Sequence, residues 1–587
     1  MNIDIILVTY NSQKWIDKCL NSVANCLYDI KKLNIFIIDN KSSDLTVSMI
    51  NELKKHYSKI FGGFHFVENK NNIGFGQANN HAFKYGNSEY VLFLNIDTEI
   101  ASDSLSKAAK IIHESDRSVA AWELRQFPYE HPKNYDPVTQ YTSWVSGAAF
   151  IIKRRVFEEV NGFDKSIFMY AEDVDLSWRV RAKGYNLRYM PDSIVYHYSY
   201  ETINQVKPTQ YINSIINNLN LRVRYGTIKD VINGLIKFSF LMTKKQPFRG
   251  ARIQTLIKCF LNIKYIPRFL AWRFFNRQRR GFTPTFHGWD YEVTRTGAFY
   301  ENSRPNLQPL VSILIRTHGR TQALREALVS VRNQTYKNIE AVVVEDGMNL
   351  SEGLIKEEFT DLNIIYLSTG EKVGRSKAAN IALDTASGVY LNFLDDDDLL
   401  FSDHVEVLVN ELNKNDKNVA YSVAFEVPTK IISSFSDKKN MNYNVVYQQP
   451  FNRMKLFYQN YIPIQSAMFK REIVREKVYM DEYLDALEDW DFWVRIAAEY
   501  EFHFVNKTTS LYRVPFDKTD SANRQKFLDE SLHILRDKQK SYYSKVNVFE
   551  VSQNVAELVS QDKKDLLKQK YKLLFKIYRM ARKILVK

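Results

Sequence analysis

The chain repeats itself, and that repeat limits its fold more than any other feature. The apolar run at residues 3–8 (IDIILV) closes on Thr9-Tyr10-Asn11-Ser12, and the same pattern returns at 311–316 (VSILIR), closing on Thr317-His318-Gly319-Arg320. A continuous apolar run of this length, ended by a polar turn, reads as a buried parallel strand. Leu20, Ser22 and Val23 of a following helical pattern match Leu328, Ser330 and Val331. A second strand comes next in each half, IFIID at 35–39 and AVVVED at 341–346, each ending in an acid. Gly74, Ala78 and Asn80 then lie 300 residues before Gly374, Ala378 and Asn380, as VLFLNID (91–97) lies before LNFLDDD (391–397). Finally Glu172-Asp173-x-Asp175 with Arg179 precedes Glu488-Asp489-x-Asp491 with Arg495 by 316 residues. Ordered recurrence at a nearly constant offset implies two copies of one α/β domain, and strand–helix alternation implies a mostly parallel sheet.

The 587 residues are too many for one core. The reading places domains at 1–205 and 306–525, a basic, largely helical linker at 206–305 and a helical basic tail at 526–587. The net charge of +14 resides in the connecting parts: 207–280 carries 16 Lys/Arg against Asp230 alone, and 561–587 is net +8, leaving the remainder net −9. Three cysteines, Cys19, Cys26 and Cys259, lack disulfide or metal-ligand spacing, as suits a reducing compartment. No signal-peptide pattern and no apolar stretch of spanning length occurs, so a soluble or peripheral protein on the cytoplasmic side is expected.

In open α/β sheets ligands bind beyond the carboxyl ends of the strands, where both copies place their polar residues. Asp39 and Asp346 follow the second strand, poised to accept hydrogen bonds from a base or ribose. Asn95 and Asp97 in the first copy, with Asp395 and Asp397 in the second, form short acidic clusters suited to a hard divalent cation shared with substrate phosphates. The pairs Glu172/Asp173 and Glu488/Asp489 supply a second carboxylate centre suitable as a general base. Taken singly, Asp39 or Asp346 reads equally well as a cap or turn residue and His197 more often as a structural histidine, whereas the apolar strand leading into Asp395–Asp398 argues against a solvated patch there. Asp175 and Asp491 read better as partners of Arg179 and Arg495 than as catalysts, and only Trp490 is placed to stack on a sugar. No glycine-rich turn follows the first strand, which disfavours a dehydrogenase.

With these motifs in this order, 1–203 and 309–514 resemble glycosyltransferase family 2, the inverting enzymes of GT-A (Rossmann-like, nucleotide-diphospho-sugar transferase) fold; the first copy is similar to bacterial rhamnosyltransferase-like members. The resemblance implies that Thr9, Asn11, Asp39, Gly74 and Asn80, and Thr317, Asp346, Gly374 and Asn380, bind a nucleotide sugar. It implies that Asp97 and Asp397 hold Mn²⁺ or Mg²⁺, and that Asp173 and Asp489, beside Glu172 and Glu488, deprotonate the acceptor hydroxyl. Asn95 replaces an acid in the first copy, while His197 in VYHY matches the family's late metal-binding histidine. In the second copy Arg513, in LYRV, stands at that position; a guanidinium cannot ligate a cation but can clamp a diphosphate.

The expected activity is a metal-dependent, bifunctional transferase moving sugars from dTDP- or UDP-linked donors to a glycan or lipid-linked acceptor of a bacterial surface polysaccharide, such as O-antigen or capsule. The alternatives are one two-site processive polymerase, or one active domain beside a silent nucleotide-sugar-binding domain. Aromatics interleave with Arg at 265–275, and apolar residues recur at helical spacing among the cations of 563–587, which suits an anionic membrane surface at the inner face of the cytoplasmic membrane. The same residues read equally as a basic helix packed on the acidic domains. No nucleic-acid recognition motif accompanies the charge.

Overall fold

The computed structural model describes residues 1–198, 206–275, 282–435, 437–475 and 478–556; the tail helix expected at 563–587 and the linker end at 276–281 lie outside the described residues. The chain divides into two units, meeting at Thr294/Arg295. The first is built on β1 (Ile3–Thr9), β2 (Leu33–Asp39), β3 (Gly63–Glu68), β4 (Tyr90–Asn95), β5 (Thr98–Ile100), β6 (Val119–Phe127), β7 (Ala149–Lys153) and β8 (Asn186–His197). The second is built on β9 (Val311–Thr317), β10 (Ile339–Glu345), β11 (Asn363–Ser368), β12 (Tyr390–Asp395), β13 (Leu399–Leu400), β14 (Val419–Ile431), β15 (Lys438–Asn440), β16 (Asn444–Val445), β17 (Ala467–Lys470) and β18 (Phe502–Pro515).

The two sheets have one topology. The first runs β3-β2-β1-β4-β7-β6-β8-β5 and the second β11-β10-β9-β12-β17-β14-β18-β13, with β15 and β16 added on β14. In each, the first four strands are parallel and the rest mix both senses, so each unit is a mixed α/β sheet of the expected class. Alternate residues of β1 serve opposite faces. Ile3, Ile5 and Leu7 join one apolar cluster with Leu20 and Trp122, while Ile6 joins another with Phe93 and Phe150. Both faces of the strand are covered by helices, which is why its sequence is continuously apolar rather than alternating. β9 does the same, with Val311, Ile313 and Ile315 on one side and Leu314 on the other.

The repeat extends further than the motifs reveal. In the first unit the helix Pro208–Tyr225 returns to the helix Glu172–Ala182: Arg224 Nη1 (2.7 Å) and Tyr225 OH (2.9 Å) donate to Asp175 Oδ1, while Arg179 Nε donates to Oδ2 at 2.8 Å. In the second unit the helix Lys518–Gln539 and the turn after it do the same. Lys538 Nζ (2.9 Å) and Tyr542 OH (2.7 Å) reach Asp491, which Arg495 Nε also holds at 2.9 Å. Asp175 and Asp491 are fully buried, so each ionised carboxylate requires these partners. The expected pairing with Arg179 and Arg495 is thus seen. The helices Pro208–Tyr225 and Lys518–Gln539 each pack on the helix that carries the Glu-Asp motif of their own unit. Among the described residues no helix is long and apolar enough to cross a membrane.

Candidate active sites

In both units the first, second and fourth strands end together, and the turns after them form the floor of a site. In the first unit Thr9 Oγ1 donates to Asp39 Oδ1 (2.9 Å), and the backbone N–H of Ser42 donates to Asp39 Oδ2 (2.8 Å). Asp39 is buried, and its carboxylate organises the β2 turn. Asn11, in the left-handed region at φ 51°, accepts from the N–H of Ser43 at 2.8 Å and fixes the facing turn. Gly74 caps the helix Phe75–Phe83 at φ 85°; a Cβ there would stand 2.4 Å from the carbonyl oxygen of Phe168. Only glycine fits.

Ladder register revises one sequence match. Thr9 pairs with Asp39, and Thr317 pairs with Glu345, so Asp39 corresponds to Glu345 and not to Asp346. Ser351 N–H donates to Glu345 as Ser42 does to Asp39. Asp346 lies one residue beyond β10 and matches Asn40: Asn40 accepts from Ile73 N–H (3.1 Å), and Asp346 from Val373 N–H (2.6 Å) and Gly374 N–H. Both therefore hold the loop that leads to Gly74 or Gly374. Consecutive acids in VVVED let one strand end be read two ways, and only the hydrogen-bond ladder separates them.

Asn80 and Asn380, expected to bind the nucleotide sugar, are clips. Each side-chain amide spans one backbone residue, donating to its carbonyl and accepting from its N–H: Asn80 with Phe163 (2.8 and 2.9 Å), Asn380 with Met480 (both 2.9 Å). These bonds fasten the loop before the Glu-Asp motif to the helix after the glycine.

At the end of β4, Asn95 Oδ1 is buried with no hydrogen-bond partner. His197 Nε2 lies 3.4 Å from Asp97 Oδ1, and His197 Nδ1 lies 2.8 Å from Gln126 Oε1. In the tautomer where Nδ1 donates to Gln126, Nε2 presents a lone pair beside a carboxylate, an arrangement that an intervening cation or proton relieves. Burial alone would raise the Asp97 carboxyl, but His197 holds it below the usual range. An orphaned amide oxygen, an ionised carboxylate and an imidazole oriented from behind fit a hard divalent cation that completes its shell with phosphate oxygens. Among the described residues no group of three or more His, Cys, Asp or Glu side chains is placed to hold a metal ion, so the amide of Asn95 would be needed to complete this set.

Across the site stand Glu172 and Asp173, opening their helix after Tyr170 and Ala171, both at φ 67°. Asp173 accepts from the N–H groups of Gly147 and Val174 (both 2.8 Å), while Glu172 Oε2 is buried without a partner. Burial raises both carboxyls, and the charge of Asp173 lifts Glu172 further. The second unit repeats the entry with Leu487 at φ 64°. Asp489 accepts from Asn460 Nδ2 (3.0 Å) and Trp490 N–H (2.8 Å), and is raised by burial and then by Glu488. A carboxyl lifted in this way is a stronger base than a free one. Trp490 is buried and donates to Leu456 O at 2.6 Å, so it belongs to the core rather than to a sugar platform.

The acid cluster of the second unit is bound differently. Arg316, buried in β9 and paired in register with Asp395, donates through Nε (3.0 Å) and Nη2 (2.6 Å) to Asp395 Oδ1 and through Nη1 to Glu488 Oε1 at 3.0 Å. Arg320 donates to Asp396 and, at 2.8 Å, to Asp397. Thr317 Oγ1 donates to Asp396 Oδ2 at 2.7 Å, whereas Thr9 bonds to Asp39. The β13–β18 ladder sets Leu400 against Ser510, as Ile100 is set against Val195, which gives the ladder place of His197 to Tyr512 and puts Arg513 one residue on. Arg513 nonetheless reaches the acidic turn: its Nη1 donates to Asp397 O (2.6 Å), with Nη2 on Glu326 at 2.9 Å. Asp395 and Asp397, expected to ligate a cation, are occupied by guanidinium groups and do not fit one. The signal was present in the sequence as one arginine inside an apolar strand, at the ladder place of Val8.

Comparisons with known proteins identify the family. The chain is 26% identical to the rhamnosyltransferase WbbL of Escherichia coli over 33% of its own length and 83% of that protein. It is 25% identical to a GalNAc(5)-diNAcBac-PP-undecaprenol beta-1,3-glucosyltransferase of Campylobacter jejuni, over 35% of this chain and 65% of that protein. An uncharacterised glycosyltransferase of Methanocaldococcus jannaschii is 27% identical over 40% of this chain and 78% of its own. Among solved structures, Staphylococcus aureus TarS in complex with UDP-GlcNAc is similar at TM-score 0.32 and 16% identity, covering 52% of this chain and 99% of that one. The family group 2 description of glycosyl transferases matches 133–242, and the description Glycosyl transferase family 2 matches 4–176 and 312–477. Those two stretches make up more than half of the chain and each contains one of the acid-lined strand ends, so the protein belongs to glycosyl transferase family 2, with two domains of its GT-A fold.

Proposed function

We propose that the protein is a bifunctional, inverting glycosyltransferase in which each domain transfers one sugar from a dTDP- or UDP-linked donor to a growing bacterial surface polysaccharide. The observation that carries this reading is the duplicated base: Asp173 and Asp489 each stand in the first turn of a buried helix entered through a left-handed residue. The carboxylate takes the proton of the acceptor hydroxyl as that oxygen bonds to the anomeric carbon from the face opposite the diphosphate. The bond from that carbon to the diphosphate oxygen breaks, and the nucleoside diphosphate leaves with the electron pair. In the first domain Asn95, Asp97 and His197 would hold the divalent ion, which when bound supplies charge for the diphosphate.

A lipid-linked acceptor is supported by the name of the Campylobacter relative, which specifies an undecaprenol-linked one. A working place at the inner membrane face is supported by the helix Ala251–Asn262, which exposes Ile253, Leu256, Ile257, Phe260 and Leu261 with Arg252 and Lys258 among them. Exposed apolar residues mixed with cations suit an anionic lipid surface.

The test is separate substitution. Asp173→Asn should abolish one donor's turnover and leave the other, and Asp489→Asn should do the converse, each costing ~10²–10⁴-fold in its own transfer. Loss of both activities from either change in a folded protein would overturn the two-enzyme reading. The pairing of Arg316 with Asp395 and Glu488 favours a second reading, in which the second domain binds without transferring. In that case Asp489→Asn changes nothing.

A further inference from the structure

The two sites are alike in backbone, but the second sets arginines among its acids. At the ladder place beside the first residue of the acidic turn, the first domain has Val8 against Asn95 and the second has Arg316 against Asp395. Three residues beyond the threonine that both copies share, Ser12 is answered by Arg320; directly after the capping glycine, Phe75 is answered by Arg375. Arg513 adds a fourth guanidinium at the acidic turn. None of these positions carries a cationic side chain in the first domain.

A guanidinium cannot lose its proton at physiological pH, so the charge on buried Arg316 is permanent. Its two bonds to Asp395 Oδ1 and one to Glu488 tie the acid side of the turn to the acid that opens the catalytic helix. A divalent ion at Asp395 would have to displace these bonds or sit close to the fixed Arg316 charge, and its repulsion by that buried guanidinium opposes binding. Arg320 and Arg375 differ from Arg316 in being open: Arg320 is about half exposed while reaching Asp396 and Asp397, and Arg375 is 56% exposed while lying 3.7 Å from Glu488. Outward-facing guanidinium groups at the carboxyl ends of parallel strands, one of them in the first turn of a helix, are the natural partners of a diphosphate.

We propose that arginine takes the place of the cation in the second domain: it binds its nucleoside diphosphate directly on Arg320 and Arg375, with Arg316 as the fixed internal charge, and needs no divalent ion. The first domain does need one. This rests on the reading that both halves bind nucleotide sugars.

The experiment counts Mn²⁺ by electron paramagnetic resonance on the full chain with UDP or dTDP present, in the wild type, Asp97→Ala and Asp397→Ala. A single Mn²⁺, lost in Asp97→Ala and kept in Asp397→Ala, is the expected result. A second Mn²⁺ that survives Asp97→Ala and disappears in Asp397→Ala overturns the proposal. Calorimetry of UDP and dTDP binding to the Asp97→Ala chain gives an independent reading. Affinity should be the same in EDTA as in Mn²⁺, and should fall about tenfold in Arg320→Ala or Arg375→Ala, each removing a charge-assisted contact. Both sites are exposed enough for the variants to fold, which a thermal melt checks. Nucleotide binding that appears only with Mn²⁺ overturns the metal-free site. Absence of nucleotide binding in both conditions instead overturns the bifunctional reading beneath it, and the proposal with it.

Discussion

Asp173 and Asp489 show how one residue's surroundings set its chemistry. Each accepts a backbone hydrogen bond that favours the ionised form, yet burial outweighs this and lifts both carboxyls. A general base works only when ionised, so kcat/KM for each donor should climb with pH through a midpoint above the ordinary carboxylate value of about 4. A profile already flat from pH 5 upward would remove the burial argument. The roles of neighbouring residues were less legible. The motif residues Thr9, Asp39, Asn80 and Asn380 stand out in the sequence because they recur, but recurrence does not distinguish a side chain that touches ligand from one that holds the loop that does. Their hydrogen bonds run inward to Ser42, Phe163 and Met480. Arg316 was visible as a charge in an apolar strand; its partners, 79 and 172 residues away, were not.

Among the elements, the strands and the helical character of the stretches after each sheet were legible, but what the closing helices pack against was not. Both sheets could be traced because apolar runs ending in polar turns are set by burial on both faces, which leaves a plain pattern. The packing of the returning helix on the Glu-Asp motif leaves no matched sequence pattern, because its contacts keep their chemistry but not their spacing. Arg224 and Tyr225 are adjacent, whereas Lys538 and Tyr542 lie one turn apart. Both pairs neutralise a buried carboxylate, and that predicts their worth. Tyr225→Phe should destabilise the first unit by ~1–3 kcal/mol, since it leaves a buried ionised acceptor short of one donor. Tyr542→Phe should cost less, its hydroxyl lying nearer solvent. Amide hydrogen exchange in Glu172–Ala182 and Glu488–Glu499 would register each loss locally, and unchanged protection in both would return these tyrosines to mere packing.

At the scale of the whole molecule, each unit has its own apolar clusters and its own closing helix, while the basic face belongs to the first. Ile257→Ser with Phe260→Ser, both at exposed positions, should reduce sedimentation with anionic liposomes at low salt and leave transfer to short soluble acceptors intact. Salt should release the wild type, because charges at a lipid surface are screened within a Debye length of ~10 Å at 0.1 M. Liposome binding unaffected by both changes would place the membrane contact elsewhere. Arginine at the ladder place of valine has a consequence for the cell as well. If the two halves differ in their need for a metal as proposed, the enzyme is not simply switched off when that metal runs short. One linkage continues to be made while the other stops, so scarcity of manganese or magnesium would alter the sequence of sugars in the product before it altered the amount.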